Sequence, residues 1–122
     1  MLADPVNVAA ASPTPALAFT LVKQDGYGSE RKDSGGNGYA VITNHSYQKG
    51  GGDKHYVQMT LVVNAVDPYS GLTKKQTASV SLTIVRPSFG FTDTAMVALC
   101  KALTDYRDTA QVTTARLLQF QS

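Results

Sequence analysis

The sequence predicts an α+β fold: an antiparallel sheet that opens with a β-hairpin and is followed by two C-terminal α-helices. Three observations predict it. Ala78, Val80, Leu82 and Ile84 alternate with Ser79, Ser81 and Thr83, a period of two that puts apolar side chains on one face of a strand and hydroxyls on the other. Beyond Arg86-Pro87 the period lengthens, and Met96, Leu99, Cys100, Leu103 and Tyr106 recur at three- and four-residue spacing. Proline and glycine clusters cut the chain before that point into short extended pieces.

Taken in order, residues Val6 to Ala11 and Ala16 to Val22 are β-compatible and flank Ser12-Pro13-Thr14-Pro15, whose prolines favour a turn, so they form the hairpin. Gln24 to Gly38, rich in Gly, Asp and Ser, reads as a loop with a short edge strand around Ser29 to Lys32. Tyr39 to Gln48 and His55 to Val66 are rich in β-branched and aromatic residues, and Lys49-Gly50-Gly51-Gly52-Asp53 turns the chain between them. Asp67-Pro68-Tyr69-Ser70-Gly71 places Pro and Gly at turn positions, and Gln76 to Val85 is the last strand. Thr92 or Asp93 caps a helix of about three to four turns. A second helix is expected from Thr109 to Leu118.

A chain of 122 residues, 43% apolar, supports one domain, with the hairpin at about 6–22, the sheet at about 39–86 and the helices at about 93–118. Cys100 stands alone, so no intrachain disulfide staples the fold. No basic, apolar leader opens the sequence and no run is long and apolar enough to span a bilayer, so no membrane partner is expected.

Burial raises a problem. Two short helices cover only part of one face of a sheet of about five to seven strands, which points to a second copy whose helices complete the core by two-fold symmetry. Met96, Leu99, Leu103, Tyr106 and Leu117 are the expected dimer contacts.

Catalysis is not indicated. His45 and His55 lack metal-ligand spacing, Cys100 lies on the apolar stripe, no glycine cluster ends in the Lys-Ser/Thr of a phosphate loop, and Gly28-Ser29 is no nucleophile elbow. We expect no enzyme, no metal, no cofactor and no small-molecule substrate.

Net charge is only +2, but residues 39–86 carry +3 while residues 1–38 carry −1. A basic fringe around a sheet face bearing Thr43, His45, Gln58, Thr60, Ser79 and Ser81 could neutralise phosphates and contact unstacked bases; a plain solvated face is the ordinary alternative for such residues. A β-rich binding module, pilus-like or carbohydrate-binding, is the rival reading.

The stretch Val80-Ser81-Leu82-Thr83-Ile84-Val85-Arg86-Pro87, followed by an aromatic link and residues Thr92 to Leu103, is similar to the last strand and first helix of the coat proteins of single-stranded RNA bacteriophages, the leviviruses. Tyr39 to Thr43 and Lys54 to Gln58 resemble the preceding hairpin of that family. The resemblance implies an interlocked homodimer, an icosahedral shell assembled in the bacterial cytoplasm around the genome, and an inward sheet surface that binds an RNA hairpin and represses replicase translation. By position it implies RNA contacts at Thr43, His45, Lys54, Gln58, Thr60, Lys74, Lys75, Ser79 and Ser81. A shift of one residue on the strand beginning at Tyr39 would put Asn44 and Ser46 in place of Thr43 and His45. The resemblance also implies that the Asp67–Lys74 loop gathers around symmetry axes of the shell. Thr60, Thr77 and Ser79 stand where several members have a Lys, an aromatic or an Asn, so no adenine-stacking pocket of that kind is expected.

Overall fold

The computed structural model describes residues 2, 4–10 and 14–121. Its elements are β1 (Val6–Val8), β2 (Leu17–Gln24), β3 (Gly28–Asp33), β4 (Tyr39–Tyr47), β5 (Asp53–Val66), β6 (Thr73–Arg86), α1 (Asp93–Asp108) and α2 (Thr114–Leu118). The strands form one antiparallel meander in sequence order, followed by the helices, as the periodicities predict. Among the described residues no helix is long and apolar enough to cross a membrane.

Local chemistry explains each turn. The proline turn expected at 12–15 falls on residues 12 and 13, outside the described residues; β1 itself ends at Val8 and pairs Val6 with Phe19 and Val8 with Leu17. Between β3 and β4 the Asp33 carboxylate accepts the backbone N–H groups of Gly35 and Asn37, each at 3.1 Å, so one side chain organises the loop. Gly38 then takes φ +84°, and a Cβ there would stand 2.7 Å from the Val62 carbonyl oxygen, a position only glycine can fill. In the β5–β6 turn, Asp67 N–H donates to Leu72 O at 2.9 Å, and the Asp67 carboxylate accepts Tyr69 N–H at 2.8 Å.

Two elements differ from expectation. The short strand expected at an edge is β3, which lies inside the sheet and pairs with β2 on one side and β4 on the other. Its polar sequence hid that place. Arg31, opposite Leu21 and Val41, is 3% exposed, and its guanidinium lies 3.5 Å from Asp4 Oδ1 and from Leu2 O. The second helix begins at Thr114 rather than Thr109. Thr109 is extended and closes α1 with its N–H bonded to Tyr106 O, and a fresh N-cap at Thr113, accepting Arg116 N–H, is needed before helix can resume. At the start of α1, Thr92 is the N-cap, accepting Ala95 N–H at 3.2 Å, and Asp93 in the first turn complements the helix dipole.

Burial is sparse and eccentric. Leu17 and Phe19 on β2 are the buried apolar residues among those described, at 4% and 2% exposure, whereas neither helix contains a buried residue. The core therefore sits toward β2, while β5, β6 and α1 enclose an unfilled groove.

Candidate nucleic-acid interface

Register decides which side chains share a face. The β4–β5 and β5–β6 ladders run without a register break, and residues directly opposite one another project to the same side. Gln58 faces Ser81 and Thr60 faces Ser79; Lys54 and Lys75, of the same parity on their strands, lie on that side too, opposite Val85 and Asn64. Six of the expected residues thus share one polar face.

Three do not. Thr43 pairs with Val57 and His45 with His55, so both lie on the opposite face, and Lys74, opposite Ala65, joins them there. The residues of β4 on the polar face are Asn44, opposite Tyr56, and Ser46, opposite Lys54. The physical reason is the pleat: a one-residue change of register moves every side chain to the other side. Lys74 is engaged elsewhere, with its Nζ 3.6 Å from Asp67 Oδ2 at the neck of the β5–β6 turn. Tyr56 was not among the expected residues, although it has the parity of Lys54, Gln58 and Thr60; it is the aromatic side chain that β4–β6 place on the polar face, between Asn44 and Thr83.

The opposite face is apolar along its middle and lies beneath α1. Val57, Met59, Val80 and Leu82 face Leu103 across one part of the groove, and Ile84 faces Met96 and Cys100 across another, where the space reaches about 760 Å³. Of the expected dimer contacts, Met96, Leu99 and Leu103 line this groove. Tyr106 is exposed on α1, and Leu117 is exposed on α2. Val80 is 78% exposed and Leu99 60%, so a large apolar strip stays open in the single chain.

The polar end of the groove is ordered by charge. Arg86 clasps Asp53 with two hydrogen bonds, Nε to Oδ1 at 3.0 Å and Nη2 to Oδ2 at 3.1 Å, and its Nη1 pairs with Asp93 of α1. His55 Nε2 lies 2.8 Å from Asp53 Oδ2, and His55 Nδ1 lies 2.8 Å from His45 Nδ1. The Arg86 guanidinium first, and His55 second, hold the Asp53 carboxyl below the usual carboxylate range, while Asp53 and then Asp93 raise Arg86. His45, expected at an RNA surface, belongs to this network instead. Among the described residues no group of acidic, His and Cys side chains is arranged to hold a metal ion.

A profile of the family described as phage phiCb5, coat protein, matches residues 3–87, which end one residue past β6. No curated protein matches the sequence. Among solved structures, the virus-like particle of bacteriophage AVE019 is similar at a TM-score of 0.77 and 17% identity, covering 92% of this chain and 91% of that one. The capsid protein of bacteriophage GA is similar at a TM-score of 0.63 and 16% identity, covering 98% and 95%. An unassembled bacteriophage coat protein, described as an RNA-binding dimer, is similar at a TM-score of 0.54 and 18% identity, covering 88% and 85%.

Proposed function

Because the chain belongs to the phage phiCb5 coat protein family, we propose that it pairs with a second copy, that the dimers assemble into an icosahedral shell, and that the polar sheet face binds the packaged single-stranded RNA. The family places the protein in the capsid of a virion, in a structural role, and its fold is that of levivirus coat proteins.

One observation carries the dimer: the apolar groove beneath α1 is unfilled in the single chain, with Val80, Leu99 and Leu103 open to solvent. Exposed apolar area of this kind is stabilised by burial at roughly 25 cal/mol per Å², and a second copy offers matching stripes at Met96, Leu99, Leu103, Tyr106 and Leu117. Strand β6 adds a second reason. It is 14 residues long, pairs with β5 on one side, and ends the sheet with its other edge open. Long open edges invite another strand, and the partner's β6 would satisfy this one by symmetry. The polar faces of the two sheets would then form one surface.

On that surface Lys54 and Lys75 supply phosphate contacts, and Asn44, Ser46, Gln58, Thr60, Ser79 and Ser81 supply donors and acceptors to base edges, with Tyr56 among them. Recognition of a genomic hairpin would let free dimers repress replicase translation before assembly in the host cytoplasm. That a structural neighbour is described as an RNA-binding coat-protein dimer supports this reading.

Size-exclusion chromatography with light scattering tests it. Expression in bacteria should yield a particle of megadalton order that carries host RNA by its ultraviolet absorbance. A stable small monomer without RNA would overturn the reading and return the chain to the β-rich binding modules.

A further inference from the structure

His45 on β4, His55 and Asp53 on β5, Arg86 on β6 and Asp93 in the first turn of α1 make one continuous polar chain across four elements. Its weakest link is also its most constrained. A hydrogen bond between two imidazole nitrogens needs one proton on the line between them, and one only. The Asp53 carboxylate can only accept, so His55 Nε2, 2.8 Å away, carries its proton. In the uncharged pair His45 Nδ1–H donates to His55 Nδ1 across 2.8 Å. One added proton makes one ring an imidazolium and leaves the bond intact, because the other ring still offers a bare Nδ1. A second proton leaves no acceptor and sets two cations against each other.

Charge matches the one-proton state. Asp53 and Asp93 against Arg86 leave the chain of groups at −1 until the histidine pair takes one proton and brings it to zero. The surrounding groups do not supply another counter-charge. On the α1 side, Lys101 and Asp105 pair with each other at 2.9 Å, and Cys100 lies beside them. On the other side, Asp25, Tyr27 and Arg31 share a hollow with His45, Arg31 is engaged with Asp4, and Tyr27 packs edge-on against Tyr47.

We propose that the His45–His55 pair is a one-proton latch: it ties β4 to the Asp53–Arg86–Asp93 anchor of α1 while it holds no more than one added proton, and acid releases it. Two imidazoliums push His55 off the Asp53 oxygen that it shares with Arg86, and the carboxylate that orients Arg86 toward Asp93 then loses its second restraint. Helix α1, which carries the apolar stripe, loosens at its first turn. Opening takes up one proton per chain, so the open fraction grows about tenfold for each pH unit of acidification. The latch lies within one chain and does not rest on the coat-protein reading.

The test uses ¹⁵N-histidine NMR of the whole protein, soluble or sedimented as particles, together with hydrogen exchange of residues 93–99. Wild type should show one imidazolium per chain near neutral pH and a second only in acid. The second should appear together with a rise of about tenfold per pH unit in exchange at 93–99, beyond the intrinsic chemical rate. In His45→Asn the amide can donate to a neutral His55 or accept from a charged one, so the link should survive and the acid rise should vanish. Wild-type rings that both become doubly protonated with exchange at 93–99 unchanged would overturn the latch, as would a His45→Asn protein that keeps the acid rise. The wild-type measurement decides the matter even if the variant does not fold, and failure to form particles would bear on the coat reading alone.

Discussion

Asp53 joins β5, β6 and α1 through one carboxylate, which takes two bonds from Arg86 and one contact from His55. Since these partners hold its folded-state value below the ordinary one, its contribution is fully present above the unfolded value, about 3.9, and is lost as pH falls through the lower folded value. Asp53→Asn should therefore lower the melting temperature at pH 7, and its difference from wild type should shrink toward zero below about pH 3. Thermal unfolding monitored by circular dichroism at the two pH values checks this; an equal difference at both would remove Asp53 from the acid sensitivity. Residue identity alone marked Asp53 as a turn residue, because its partner Arg86 lies 33 positions away.

The elements most exposed to a missing partner are β6 and α1. Their amphipathic patterns are written plainly in the sequence, at periods of two and of three to four, and both form as expected. In the single chain Val80 is largely exposed, so Val80→Asp should leave the isolated fold intact. In a closed dimer the same aspartate, or one at Leu103, would be an unpaired buried charge costing several kcal/mol. Both variants should elute as monomers, and Val80→Asp should keep the wild-type far-ultraviolet spectrum. Dimers of wild-type stability in Val80→Asp would mean that the sheet face under α1 is not covered by the second copy. Element ends were less legible: α2 is half the length expected, because the competition between the Thr109 stop and the Thr113 cap turns on a few local hydrogen bonds.

At the scale of the whole molecule the sheet has two chemically different sides, and adjacent lysines fall on opposite ones. Lys75 stands on the polar face opposite Asn64, whereas Lys74 turns away and pairs with Asp67. Lys75→Ala should weaken binding to any single-stranded RNA and reduce the slope of log affinity against log salt by about 0.7 for each phosphate that is no longer neutralised. Lys74→Ala should leave that slope unchanged. Filter binding or fluorescence anisotropy at several salt concentrations measures both, and equal losses for the two lysines would contradict the assignment of faces.

What the sequence by itself determined is local: an antiparallel sheet followed by helices, the two-sided pattern of β6, the apolar stripe of α1, and an apolar surface too large for the chain to cover. Each follows from residues within a few positions of one another, where pleat and helical pitch act directly on side-chain direction. Tertiary structure alone decided the register that exchanges His45 for Ser46 on the polar face, the interior place of polar β3, the burial of Arg31, and the chain of groups from His45 to Asp93. Those depend on which distant residues stand opposite each other across a ladder, and a single step along either strand reverses the answer.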